Sequence, residues 1–289
     1  MDDPGTGPLV AVEDPGDERL ADYRDLNDPA ARATREGRDA IFVAEGRLAA
    51  GALVASGWPL HSLLVDDRQI GHVADLVAAV RRRGAPVYVA PRAVLGATVG
   101  FPLHRGVVAI GGRREPRAVA EVLRDASAGC GAPVVCVLEG LNDHENLGAL
   151  FRNAAAFGVR AVLLDPTCAD PLYRRSVRVS LGHVLRIPFA RTGPLPAAFG
   201  ELEAAGFPVF ALSPHADGTP PTGELASWAR GRRGRATAVL VGAEGPGLTT
   251  GARRGAREVV SIPMAHGVDS LNVATAAAIA FYELSRAGA

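Results

Sequence analysis

Lysine is missing from this chain of 289 residues: all 31 basic side chains are arginine, set against 31 acidic ones. Without lysine there is no Walker lysine, so a P-loop nucleotide triphosphatase is unsupported. Without net charge the chain is not a bulk polycation that coats nucleic acid, and any contact with RNA must be local. Arginine's planar fork suits phosphate and base stacking. Genome-wide codon bias is the simpler reading of the composition, which cannot locate a surface. Cysteine is scarce as well. Cys130, Cys136 and Cys168 are odd in number and lack CxxC spacing, which indicates neither a disulfide framework nor a zinc site. They read as small buried apolar residues. No group of His, Asp or Glu has ligand spacing, so no metal is expected. No apolar run approaches the roughly 20 residues of a membrane-spanning helix. The acidic start lacks the basic region of a signal peptide, and the expected location is the cytoplasm, away from membranes.

What is present is an ordinary globular balance, 48% hydrophobic and 21% charged, in a length that suits two domains. Residues 1–20, rich in proline, glycine and aspartate without apolar periodicity, read as a flexible tail. Over 21–112, strands are predicted at 40–44, 61–65, 86–90 and 106–110, with helices at 46–56 and 73–83, a small α/β domain. The segment 113–131, with GGRREP at one end and SAGCGAP at the other around a helix-like AVAEVLRDA, reads as a linker. From 132 to 289 the alternation is stronger. Strands are predicted over 134–138, 161–164, 208–212, 236–241 and 258–262, and helices over 147–157, 172–181, 196–205 and 271–284. Continuously apolar strands between helices imply a parallel sheet covered on both faces.

Ligands of such sheets sit beyond the carboxyl ends of the strands, which directs attention to LEGLNDHEN, LSPHADG, GAEGPG and IPMAHGVDSLN. GAEGPG at 242–247 is compatible with phosphate binding, nucleoside binding or a plain turn. Its Glu244 can accept hydrogen bonds from a ligand or cap the next helix. In NDHENLGALFRNA, residues 142–154, Asn146 stands near a helix start and Arg152 nearly two turns further. Leu147, Leu150, Phe151 and Ala154 supply the buried face, leaving Arg152 to reach a crevice or to be a solvated surface arginine. In the last segment a helix starts at Ser270 or Asn272, followed by small residues that let another backbone approach.

Together, in this order, these segments closely resemble the three motifs of the SpoU/TrmH branch of the SPOUT methyltransferases. Residues 142–154 are similar to the first motif, with Asn146, Gly148 and Arg152 at its key positions. VLVGAEGPGL, 239–248, resembles the second, and IPMAHGVDSLNVATA, 262–276, the third. VRVSLGHVLRIPF at 177–189 also follows the family pattern, whereas DHE at 143–145 departs from it where a proline often stands. The resemblance covers 132–286. IFVAEGRLAAGAL and FPLHRGVVAI resemble the ends of a ribosomal-protein-like α/β domain found before such catalytic domains.

The resemblance implies an α/β protein: an RNA substrate-binding domain over 21–112, then a parallel-sheet SPOUT domain over 132–289 with a trefoil knot, a feature otherwise excluded by default. It implies a homodimer that uses S-adenosylmethionine to methylate a ribose 2′-hydroxyl in structured RNA, ribosomal RNA favoured over transfer RNA. The donor would meet backbone around Leu212, Ser213, Gly242, Ile262, Met264 and Leu271. Glycine at 242 is expected because a side chain would block the ligand's approach. Arg152 would be the central catalytic residue, with Asn146, Glu244, Ser270 and Asn272 around it. A guanidinium, with a pKa above about 12, suits holding a phosphate and aligning the hydroxyl better than taking its proton. His144, close by, is a candidate base. A catalytically silent RNA-binding protein of the same fold is the alternative, which loss of Asn146 or Arg152 would have favoured. A nucleotide-binding oxidoreductase with an open sheet is the third reading.

Overall fold

A computed structural model describes residues 6–37, 39–103, 105–128, 131–214, 223–232, 234–265 and 268–288. Two compact units emerge: Met1–Glu115 with Leu172–Arg186, and Pro116–Pro171 with Ile187–Ala289.

The first unit contains β1 (Leu9–Ala11), α1 (Pro29–Gly37), β2 (Ile41–Glu45), α2 (Arg47–Ala55), β3 (Leu60–Asp66), α3 (Ala74–Arg82), β4 (Val87–Ala90), α4 (Arg92–Val99) and β5 (Val107–Gly112). Its sheet runs β1-β4-β3-β5-β2, with β5 antiparallel to both neighbours and the other pairs parallel. Tyr23, Leu64, Leu95 and Ile110 lie in its core, where the Tyr23 hydroxyl meets that of Ser62 at 2.6 Å. The four strands predicted from apolar runs are all present. Residues 9–11, expected inside the flexible tail, instead form β1 in register with Val87–Val89. The approach depends on Gly7, whose N–H donates to the Arg81 carbonyl at 2.8 Å. A Cβ there would stand 2.1 Å from the Ala85 carbonyl oxygen. Composition reports local chain entropy; it does not report an edge strand waiting further along the chain.

The second unit opens with α5 (Val119–Ser127), β6 (Val134–Glu139), α6 (His144–Ala156) and β7 (Ala161–Leu164). The chain then visits the first unit as α7 (Arg174–Val179) and returns as β8 (Phe189–Arg191), α8 (Phe199–Ala204), β9 (Val209–Leu212), β10 (Gly223–Glu224), α9 (Leu225–Gly231), β11 (Thr237–Gly242), α10 (Thr250–Gly255), β12 (Glu258–Ser261) and α11 (Val273–Gly288). All seven strands are parallel, in the order β10-β12-β9-β11-β6-β7-β8. Alternate residues of the sheet, among them Val135, Val137, Leu163, Ala211 and Leu240, pack under α5 and α8. The segment 113–131, read as a linker, thus carries a working helix. Val119, Val122, Leu123 and Ala126, at helical spacing, bury one stripe against this sheet.

The segment 172–181 was expected to belong with the second half, and the structure corrects this. Arg174 Nη1 donates to Glu45 Oε2 at 2.5 Å, with only 13% and 9% of the two side chains exposed. Its guanidinium lies over the Phe101 ring, 4.7 Å from the centroid, and also contacts Asn27. Beyond α7 a Cβ at Gly182 would stand 2.4 Å from that of Ala52, and the Trp58 indole donates to the Leu185 carbonyl at 3.1 Å. A buried, paired arginine and one close glycine contact tie this segment to the first unit.

Candidate active site

Proceeding from β6 to β8, the second sheet grows toward one edge; the chain then crosses to β9 on the other side of β11. Such a reversal leaves a crevice outside the carboxyl ends of the strands. There the loops after β9, β11 and β12 and the first turn of α11 enclose a cavity of about 440 Å³. That volume is within the range of sites for small molecules and cofactors. Apolar side chains (Leu212, Ile262, Met264, Leu271), glycine-rich backbone and a few polar groups (Ser213, Glu244, Ser270, Asn272) line it. This chemistry suits a ligand that combines an apolar, stackable moiety with a polar one.

Nine of the eleven residues singled out from the sequence line this cavity: Leu212, Ser213, Gly242, Glu244, Ile262, Met264, Ser270, Leu271 and Asn272. A tenth, Asn146, is joined to them. The Asn272 side-chain amide donates to Asn146 Oδ1 at 2.8 Å and to Glu244 Oε1 at 2.6 Å, tying three separate segments together. Its Oδ1 accepts from the N–H groups of Ala274 and Thr275 at 3.0 and 3.2 Å. Asn272 therefore caps α11, and of the two starts considered, Ser270 is not the one that caps. Arg152 is the eleventh. It is exposed on α6 and does not line the cavity.

Helix α6 is placed by contacts on both sides. Leu147, Leu150, Phe151 and Ala154 are fully buried, as the periodicity predicted. Asp143, within the DHE departure, is the N-cap: its Oδ1 accepts from Glu145 N–H at 2.9 Å and Asn146 N–H at 2.7 Å. The Asn153 amide donates to the Ala274 carbonyl at 2.8 Å, fastening α6 to the first turn of α11. The loop before α6 is held by buried Asp165, which accepts from the N–H groups of Gly140, Thr167 and Cys168 at 3.0–3.1 Å. Arg191 Nη1 in turn donates to the carbonyls of Asp165 and Cys168 at 3.2 and 3.0 Å.

Glycine at 242 has another reason than the expected one. A Cβ there would meet Gly247 C and Leu248 N at 2.5 Å, so it is the loop's own backbone that needs the space. The Gly247 N–H donates back to the Ala243 carbonyl at 3.1 Å, closing the turn, and Gly245 and Gly247 have φ of +83° and +66°. Val273 and Ala276 also line the cavity and were not singled out. Their spacing of three residues on α11 was the available signal. Two thiols are buried in this unit: burial pushes Cys136 well above the usual range and Cys168 up to about 12. Both are buried as expected, and Cys130 lies outside the described residues.

Among the described residues no helix is long and apolar enough to cross a membrane, and no cluster of three potential metal ligands occurs. Comparison with known proteins fits the geometry. Residues 133–282 match the SpoU rRNA Methylase family. A protein of Mycobacterium tuberculosis named as an uncharacterized tRNA/rRNA methyltransferase is 46% identical over 277 residues, 96% of this chain and 92% of that one. The 23S rRNA (guanosine-2′-O-)-methyltransferase of Escherichia coli is 29% identical over 229 residues, 77% and 88% of the two chains. The crystal structure of an AdoMet-bound rRNA methyltransferase from Sinorhizobium meliloti superposes with a TM-score of 0.75 at 27% identity, covering 97% of this chain and 98% of that one. With the family matched over more than half its length and a relative nearly half identical along almost all of it, this chain belongs to the SpoU family of S-adenosylmethionine-dependent RNA methyltransferases.

Proposed function

We propose that the protein transfers the methyl group to a ribose 2′-hydroxyl of structured RNA in the cytoplasm, with ribosomal RNA favoured over transfer RNA. The carrying observation is the Asn146–Asn272–Glu244 network, which sets polar groups at the mouth of a donor-sized cavity beside the helix that bears Arg152. The name of the Escherichia coli relative supports the 2′-oxygen and the ribosomal substrate.

In this reading Leu212, Ser213, Gly242, Ile262, Met264 and Leu271 surround the donor, which supplies an electrophilic methyl group when bound. Arg152 acts on the acceptor. Its guanidinium grips a backbone phosphate and brings the hydroxyl oxygen into line for displacement, an alignment that can supply much of the barrier reduction. Asn146, Glu244, Ser270 and Asn272 shape the mouth through which the ribose enters. Since Arg152 does not line its own chain's cavity, we place it in the site of a second copy, so that a homodimer holds two composite sites. We retain the trefoil knot in this reading, together with an RNA-binding role for the first unit.

The test is transfer from methyl-labelled S-adenosylmethionine to RNA from cells lacking the gene, followed by nucleoside analysis. Label in 2′-O-methylribose of ribosomal RNA is expected. Label confined to bases would overturn the reading, and label only in transfer RNA would correct its substrate. For the shared site, Arg152→Ala is co-expressed with Ala276→Phe, which fills the cavity. Random pairing should restore about a quarter of the wild-type sites. Mixed dimers as inactive as either parent would show that each subunit keeps its own site.

A further inference from the structure

The wall of the cavity formed by residues 243–248 leaves β11 from a well-paired strand, and among the described residues its returning end joins no named strand, bridging only to Ala243 of its own turn. That end is met by a carboxylate. Glu139, the last residue of β6, is only 7% exposed, and both of its oxygens are engaged by one residue. Oε2 accepts from the Thr249 N–H and Oε1 from the Thr249 hydroxyl, each at 2.8 Å. Thr249 directly follows Leu248, the last residue of the wall, and its hydroxyl oxygen also caps α10 by accepting from Ala252 N–H at 3.1 Å. A carboxylate buried at a strand end is costly unless its oxygens are matched, and charge-assisted bonds to two donors are the strong, directional kind. Nothing in the catalytic reading uses Glu139, and it does not line the cavity.

We propose that Glu139 is a positioning residue of the donor site: by gripping both donors of Thr249 it fixes the returning end of the 243–248 wall, and so sets the affinity for S-adenosylmethionine. This rests on the reading of the cavity as the donor site. Gly242 lets Gly247 and Leu248 fold back over the strand end, and Glu139 holds them there. The two devices act on the same turn from paired positions at the ends of adjacent strands.

The test measures donor affinity by calorimetry, steady-state kinetics on RNA and melting temperature, all on the full-length protein. Glu139→Gln retains one acceptor oxygen, and Thr249→Val removes the hydroxyl. Each is expected to raise the donor Kd and KM about tenfold while kcat at saturating donor stays within about twofold. Thr249→Ser, which keeps both bonds, should match the wild type. The double variant Glu139→Gln/Thr249→Val should be no weaker than about either single one, because both remove the same contact. Leu95→Ala, a cavity in the core of the first unit and outside the cluster that holds Leu248, provides a melting-temperature control and should leave the donor Kd unchanged. A folded Glu139→Gln with wild-type Kd, or an equal loss of affinity in Leu95→Ala, would overturn the proposal. If Glu139→Gln does not fold, Thr249→Val against Thr249→Ser carries the same comparison. Ala276→Phe separates the two readings: donor binding that survives a filled cavity rejects the site itself, and this inference with it.

Discussion

Asn272 performs two tasks with opposite ends of one amide, and substitution can separate them. Its Oδ1 caps α11, while its Nδ2 bridges Asn146 and Glu244. Asn272→Ala removes both. Loss of the cap costs about 1 kcal/mol, and the two exposed side-chain bonds, which water replaces in part, bring the total to roughly 1–2 kcal/mol. For a protein of this size that is a fall in Tm of about 2–3 °C. Asn272→Asp keeps the cap and adds a charge that the helix N-terminus favours by about 0.3–1 kcal/mol. It also turns the bridge into a repulsion. At the 2.6 Å that now separates Nδ2 from Glu244 Oε1, two unit charges repel by about 1.6 kcal/mol even at the dielectric constant of water, so Glu244 must swing away. The stability terms nearly cancel, and Tm should stay within about 2 °C of the wild type. The site geometry does not survive. A loss of about 1.4–2.7 kcal/mol in transition-state alignment corresponds to a ten- to hundredfold fall in kcat/KM. Differential scanning calorimetry and labelled methyl transfer to RNA measure the two quantities on one preparation. Wild-type turnover in Asn272→Asp at unchanged Tm would refute a functional role for the bridge and leave Asn272 a helix cap alone.

Gly242→Ala places a methyl 2.5 Å from the Gly247 and Leu248 backbone. It should cost about 1–3 kcal/mol and abolish donor binding by calorimetry, because the loop itself must move. Glu45→Ala leaves Arg174 buried without its partner and should destabilise the protein by about 3–5 kcal/mol in urea unfolding, a loss that Arg174→Ala in the same chain should partly relieve. The thiols set an alkaline limit. Their folded pKa values are raised by burial, so their contribution is intact below the ordinary thiol range near pH 9 and is lost as pH climbs toward about 12; unfolding free energy should decline across that window. In a Cys130→Ser background, Cys136 and Cys168 should resist alkylation at pH 8 until the protein is denatured, and rapid labelling of the native form would contradict their burial.

Much of this molecule was legible because the signals are local. Val134–Glu139, Ala161–Leu164 and Thr237–Gly242 are runs of apolar residues that form strands buried on both faces, and their order implies a parallel sheet. That sheet in turn places Leu212, Gly242 and Ile262 at strand ends, which is why the cavity residues could be named in advance. The buried face of α6 followed from its helical period alone. Tertiary structure decided what depends on partners distant in the chain. Leu9–Ala11 is a strand only because β4 offers it an edge and Gly7 admits the close approach. Residues 172–186 join the first unit because Glu45 and Phe101 receive Arg174 there, a pairing without sequence spacing. Gly242 lines the cavity, but the backbone that needs its missing side chain is that of its own loop. Glu139 falls, by sequence, in the loop after the 134–138 strand with nothing to single it out, and only the return of Thr249 to meet it gives it a task. Periodicity records which face of an element avoids water; which distant group completes a hydrogen bond is fixed only when the chain has folded back on itself.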